Sequence, residues 1–222
     1  MGSILDDRAS DHVANYNACC LHYNLVADAL YTAQRSHDSL SLEFEPYLIA
    51  GLIGFDMSRM MGDRNKAYST RDGFGARLSR CLQNARPHLE RLRAAGDLAS
   101  AELAASRSDI ENAYRSLAVR GTLHATKSFD VGATKILHWL FPQLLIMLDQ
   151  NVARAFKSRL GVEFRNTTQP GYCPERYLEC LDRAQREIRR FGENRFRGLE
   201  PNTPVARVFD KIAFMVGTSR VV

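Results

Sequence analysis

Several things are scarce or missing in this chain of 222 residues. No apolar run approaches the roughly 20 residues that a bilayer-spanning helix needs, so no membrane partner is expected. The first residues, MGSILDDRAS, lack a basic-then-apolar signal pattern, and the cytoplasm is the expected compartment. Alternating β-branched segments are rare, which excludes a sheet-based fold and predicts an all-α protein. Five cysteines, Cys19, Cys20, Cys81, Cys173 and Cys180, are an odd count without the spacing of a disulfide framework. The adjacent Cys19 and Cys20 read as small core residues. There is no P-loop, no dinucleotide fingerprint, no His/Cys zinc spacing and no serine nucleophile elbow. Neither a metal nor a cofactor is expected.

The composition, 45% hydrophobic and 25% charged, is that of an ordinary globular protein and suffices for one domain over residues 1–222. A monomer is expected. The net charge of +5 is unevenly spread. Residues 150–222 hold 14 Lys and Arg against 8 Asp and Glu, whereas residues 1–149 hold 16 against 17. A basic second half suits a polyanionic partner, although Arg-rich helices are also commonly just solvated faces.

The pattern predicts a first helix capped by Ser10 or Asp11 and running to about Gln34. An apolar helix from Tyr47 to Met61, ended by Gly62, carries Asp56 and Arg59 one turn apart, where they can face each other. Helices around Ala76–Ala95, interrupted near Pro87, and Asp97–Ala105 follow. Ser108-x-x-Glu111 reads as a capping box that opens a helix to Val119. Pro174 begins a helix to Phe191 that Gly192 terminates, and Thr203-Pro204 opens the last one, Val205 to Val216.

The most informative stretch is Phe129 to Gly161, FDVGATKILHWLFPQLLIMLDQNVARAFKSRLG. Asp130-Val131-Gly132-Ala133 reads as a short turn, and Ile136–Leu140 as an apolar helix that Pro142 stops or kinks. The apolar Leu144–Leu148 then ends on a lone carboxylate, Asp149, at the mouth of a helix bearing Arg154, Lys157 and Arg159. Asp149 reads either as an N-cap or as a catalytic acid.

These residues resemble the helix-hairpin-helix DNA glycosylases of the endonuclease III type. Val131-Gly132 matches the end of that family's glycine hairpin, with Asp130 replacing its first glycine. Leu148-Asp149-Gln150-Asn151-Val152-Ala153-Arg154 matches the segment that carries the family's catalytic Asp. The resemblance covers these 33 residues. It implies two helical lobes around a cleft, double-stranded DNA as partner, and Asp149 as the residue that stabilises an oxocarbenium ion or activates water. The hairpin amides at Gly132, Ala133 and Thr134, beside Val131, would hold a phosphate, with further contacts from Asn151, Arg154 and Lys157. Some relatives use a lysine two residues after the last hairpin glycine. Thr134 holds that position here and Lys135 comes one later, about 100° around the helix, so hydrolysis by water is expected, with Lys135 assisting, binding phosphate or merely surfacing. Asp56 and Arg59 with Asn166, Gln169 and Tyr172 offer groups that would read a flipped base. Cys173 and Cys180 echo the first two ligands of the family's iron–sulfur set, but Arg183 stands where the next would fall. His138 reads as a satisfied core histidine.

The implied function is excision of a damaged or modified base from DNA, in repair or in defence against phage with modified DNA. A non-catalytic DNA-binding module and a helical protein-interaction module are the alternatives.

Overall fold

A computed structural model describes residues 2–55, 57, 73–124, 127–164 and 174–218. Asp56, Arg59, Asn166, Gln169, Tyr172 and Cys173 lie outside the described residues, so the whole proposed base-reading set does. The described residues are helical: α1 Ala9–Cys19, α2 Leu21–Ser36, α3 Glu45–Gly54, α4 Phe74–Leu92, α5 Leu103–Ala118, α6 Asp130–Leu140, α7 Gln150–Ala155, α8 Pro174–Phe191, α9 Glu193–Arg197 and α10 Val205–Thr218. A π-helical turn, Phe156–Leu160, prolongs α7. All ten helices contribute to one contiguous apolar core. None of them is long and apolar enough to cross a membrane.

Boundaries moved where local hydrogen bonding outweighed the apolar period. The expected first helix is two, parted at Cys20, and α1 opens with the Asp6 carbonyl accepting the Ala9 N–H rather than with a Ser10 or Asp11 cap. Cys19 is exposed and Cys20 only half-buried, so neither is a core residue. Pro87 does not interrupt α4: it lies on the exposed face, where the carbonyl its missing N–H leaves open is free to be hydrated. The Ser108 capping box falls inside α5, with Ser108 Oγ accepting from Asn112 Nδ2 at 3.3 Å. Asp97 starts no helix. Its Oδ1 accepts the amides of Ala99 and Ser100 in a tight turn after Gly96, whose φ of +77° suits glycine. Helix α8 and the start of α10 lie as expected from Pro174 and Pro204.

The largest correction concerns Asp130–Ala133. These residues are the first turn of α6, not a turn before it; the Ala133 N–H already bonds to the Phe129 carbonyl at 2.8 Å. Gly132 is needed for packing. A Cβ there would stand 1.9 Å from the Phe129 ring, which folds back over the helix start and is itself buried.

The run after Pro142 is the most unusual feature of the chain. Leu145–Leu148 is buried and belongs to no helix, and no strand lies among the described residues for it to pair with. Buried backbone groups need partners, and here side chains supply them. Asp210 on α10 accepts the Met147 N–H through both oxygens at 3.1 and 3.0 Å, and Thr134 Oγ1 accepts the Leu148 N–H at 3.0 Å. Tyr177 O–H donates to the Ile146 carbonyl, and His138 Nδ1–H donates to the Leu145 carbonyl at 2.6 Å. Four buried residues from three helices therefore hold one segment, and that segment delivers Asp149.

Candidate functional site

Asp149 caps α7. Its Oδ1 accepts the N–H groups of Asn151 and Val152 at 2.8 and 2.9 Å, while Oδ2 has no hydrogen-bond partner among the described residues. The carboxylate thus satisfies the helix with one oxygen and presents the other. It lies on the rim of two small hollows, each of about 220 Å³.

The first hollow is flanked by α1, α6, α7 and α10. Its charged groups are Asp149, Lys135, Asp210 and Arg207, and Tyr16 and Phe55 form aromatic walls. Lys135 is only 6% exposed; its Nζ donates to the Phe55 carbonyl at 3.1 Å and sits 5.0 Å from the centre of the Phe55 ring. The expectation that Lys135 might merely surface is therefore overturned. Because α6 is buried all round its inner turns, a 100° rotation moves a side chain from one buried wall to another rather than into water.

Arg207 and Asp210 lie one turn apart on α10, both 2% exposed. Arg207 Nη2 donates to Tyr16 Oη at 2.9 Å and to Asn24 Oδ1 at 3.2 Å, and its guanidinium lies 4.9 Å from the Tyr16 ring centre. Burial pushes the Asp210 carboxyl well above the usual range, opposed by the Met147 amide and Arg207 and reinforced by Asp149. Burial likewise raises the Tyr16 phenol, so Tyr16 stays neutral. These residues were not singled out from the sequence. The signal was present: Arg207, Asp210 and Lys211 are charges embedded in an otherwise apolar helical run.

The second hollow runs along α7 from Asp149 past Arg154 and Lys157, with Val131, Ala153 and Phe164 beneath. Arg154 and Lys157 are exposed; Arg154 Nη1 donates to Asn151 Oδ1 at 3.1 Å, and Lys157 pairs with Glu163 at 2.6 Å. The structure thus brings Val131, Asp149, Arg154 and Lys157 to one surface and Lys135 to the adjoining pocket. It does not bring Gly132, Ala133 and Thr134 there. All three are buried, and Thr134 is spent on Leu148 and on the Val131 carbonyl. The helical ladder consumes the amides from Ala133 onward, so the expected phosphate grip by that set is corrected.

His138 is fully buried and satisfied, as its sequence setting suggested. Its Nδ1–H serves Leu145, and Nε2 accepts from Tyr31 O–H at 2.7 Å. Burial, with Arg207 adding to it, lowers its pKa from 6.5 to about 3. The folded state therefore binds fewer protons at this ring than the unfolded state between those two values. Stability is full above 6.5 and declines as pH falls below it. We expect the melting temperature to drop from pH 6.5 downward, and the slope of that drop to shrink in His138→Gln even if the variant melts lower overall. An unchanged slope would mean that His138 is not the group responsible.

Against known proteins, the chain matches no family model, no curated protein and no solved structure. The class defined by fold and site is an all-α protein with a capping carboxylate between two small pockets.

Proposed function

We propose that the protein is a DNA N-glycosylase of the helix-hairpin-helix type that excises a damaged or modified base by hydrolysis, with Asp149 as its catalytic carboxylate. The observation that carries the reading is the convergence of Asp149 and Lys135, predicted from sequence, on one aromatic-walled pocket with the exposed cations of α7 beside it. A hollow of about 220 Å³ is smaller than the roughly 300–1,000 Å³ of drug-sized ligand sites and suits a single heterocycle. Asp149 Oδ2 would face the sugar, where a negative charge opposes the oxocarbenium ion that develops as the C1′–N bond breaks. Water attacks C1′, the base leaves with the bonding pair and takes up a proton, and the water proton passes to Asp149 and then to solvent. Arg154 and Lys157 would hold flanking phosphates. A cleft between two lobes is part of the same proposal, as are repair or antiphage defence as its setting.

Lys135 supports this reading as a cation. A charged Nζ would be favoured by the Phe55 carbonyl and ring face beside it, and only a deprotonated Nζ has the electron pair that attack on C1′ requires. The test is base release, followed by mass spectrometry, from alkylated, oxidised and hydroxymethylated duplex DNA. Abasic sites should accumulate and break only on alkali, and borohydride should trap no covalent adduct. Binding should weaken with salt by about 0.9 in log K per log salt for each phosphate held. A trapped adduct lost in Lys135→Ala would make the enzyme a lyase; no base released from any of these DNAs, with flat salt dependence, would end the glycosylase reading.

A further inference from the structure

Arg207 lines the first hollow and also borders a larger cavity, of about 790 Å³, to which none of Lys135, Asp149, Arg154 or Lys157 contributes. Its size falls within the usual range for small-molecule sites. Helix α2, the turn after α6 and the start of α10 enclose it.

Charge in the lining is one-sided. Five cations, Arg35, Arg93, Arg197, Arg207 and Lys211, face two carboxylates, Asp28 and Asp97. Arg197 is occupied by Asp97 at 2.7 Å, Lys211 by Glu200 at 2.8 Å, and Arg93 by Asp38 and Glu90 at 2.5 and 2.8 Å. Arg35 has no ion pair or hydrogen bond among the described residues. Arg207 is the more informative residue. At 2% exposure it uses only Nη2 among the described residues, where its buried Nε has no hydrogen-bond partner. A buried, unsatisfied guanidinium N–H is costly and calls for an acceptor.

The same cavity meets the N-terminus of α10, a helix of 14 residues that begins after Thr203-Pro204. Gln143 Oε1 accepts the Val205 N–H at 3.0 Å, and the Val208 N–H returns to the Pro204 carbonyl. The amides of Ala206 and Arg207 between them have no acceptor among the described residues. A helix start with free amides attracts anions, and here a buried arginine with an unused donor stands within the same turn. Leu140, Phe141 and Leu144 give the cavity an apolar wall, and Asn24 and Gln34 carry side-chain amides into its lining.

We propose that this cavity binds an organic phosphate of nucleotide size. The phosphate is held by Arg207 and the first-turn amides of α10 with Arg35 at the mouth, and the ring body lies against Leu140 and Phe141. Arginine forks and helix amides match phosphate geometry in a way a single carboxylate would not exploit. The inference does not depend on base excision at Asp149.

Calorimetric titration of the full chain with AMP, GMP, CMP and UMP at low salt tests it, with inorganic phosphate and adenosine as the separated halves. At least one nucleotide should bind at a single saturable site with a dissociation constant between about 10 μM and 1 mM. Each half should bind at least about tenfold more weakly, because each forfeits one side of the cavity. Arg35→Gln, on an exposed helical position, should weaken the nucleotide several-fold, and Arg207→Lys, which keeps charge but loses the fork, about tenfold. Asp149→Asn should leave the affinity unchanged, so a failure at that site and a failure here stay distinct. No heat from any of the four nucleotides overturns the proposal. So does equal affinity for inorganic phosphate alone, an affinity unaltered in Arg35→Gln, or loss of binding in Asp149→Asn. Should Arg207→Lys not fold, Arg35→Gln decides the matter.

Discussion

Asp149→Asn should fold, melt close to wild type, still bind duplex DNA, and release base about 100- to 1,000-fold more slowly. The two effects separate because the two carboxylate oxygens have different neighbours. Oδ1 accepts from the amides of Asn151 and Val152, and an asparagine oxygen can do the same, so the loss of stability should not exceed about 1 kcal/mol. Oδ2 has no partner to lose among the described residues, but the negative charge it carries would vanish. Single-turnover release measured beside thermal melting and a binding assay gives both numbers on one preparation. Activity retained within a few-fold would leave Asp149 as a helix cap and no more.

Gly217→Ala should cost about 3 kcal/mol or more, against the roughly 1 kcal/mol gain that alanine normally brings to a helix interior. Helices α10 and α7 cross so closely that a Cβ on Gly217 would stand 1.8 Å from the Asn151 carbonyl oxygen and 2.6 Å from its carbon. Those are backbone atoms of the turn that Asp149 caps, and no rotamer change relieves them. Either α10 lifts away, taking Asp210 from the Met147 amide, or α7 shifts and the cap geometry goes with it. Gly198→Ala is the control, because its nearest contacts are 3.4 Å carbonyl oxygens and its φ is −70°. Urea midpoints of the two variants should therefore differ sharply. A Gly217→Ala protein as stable as wild type would mean that the two helices pack less tightly than described.

The helical character of the chain was legible in its apolar period and its breakers. Pro174 and Gly192 bound α8 and Pro204 opens α10 because proline suits a first turn and glycine takes positive φ, whatever the surroundings. Asp149 as the start of a helix was legible for the same reason: an aspartate oxygen reaches amides two and three residues on. What could not be read were the features that depend on distant partners. The turn expected at Asp130–Ala133 is the first turn of α6, and its Asp130 accepts from the Tyr114 O–H on α5. The apolar run Leu145–Leu148 is not helical, and its backbone is bonded by Asp210, Thr134, Tyr177 and His138, which lie on three separate helices. Lys135 faces the Asp149 pocket through its bond to Phe55, 80 residues earlier in the chain. Local propensity is a property of neighbours in sequence, so caps and breakers could be named from sequence alone. Which buried charge meets which backbone group is decided only when helices pack, and at Arg207, Asp210 and Lys135 the tertiary structure decided it.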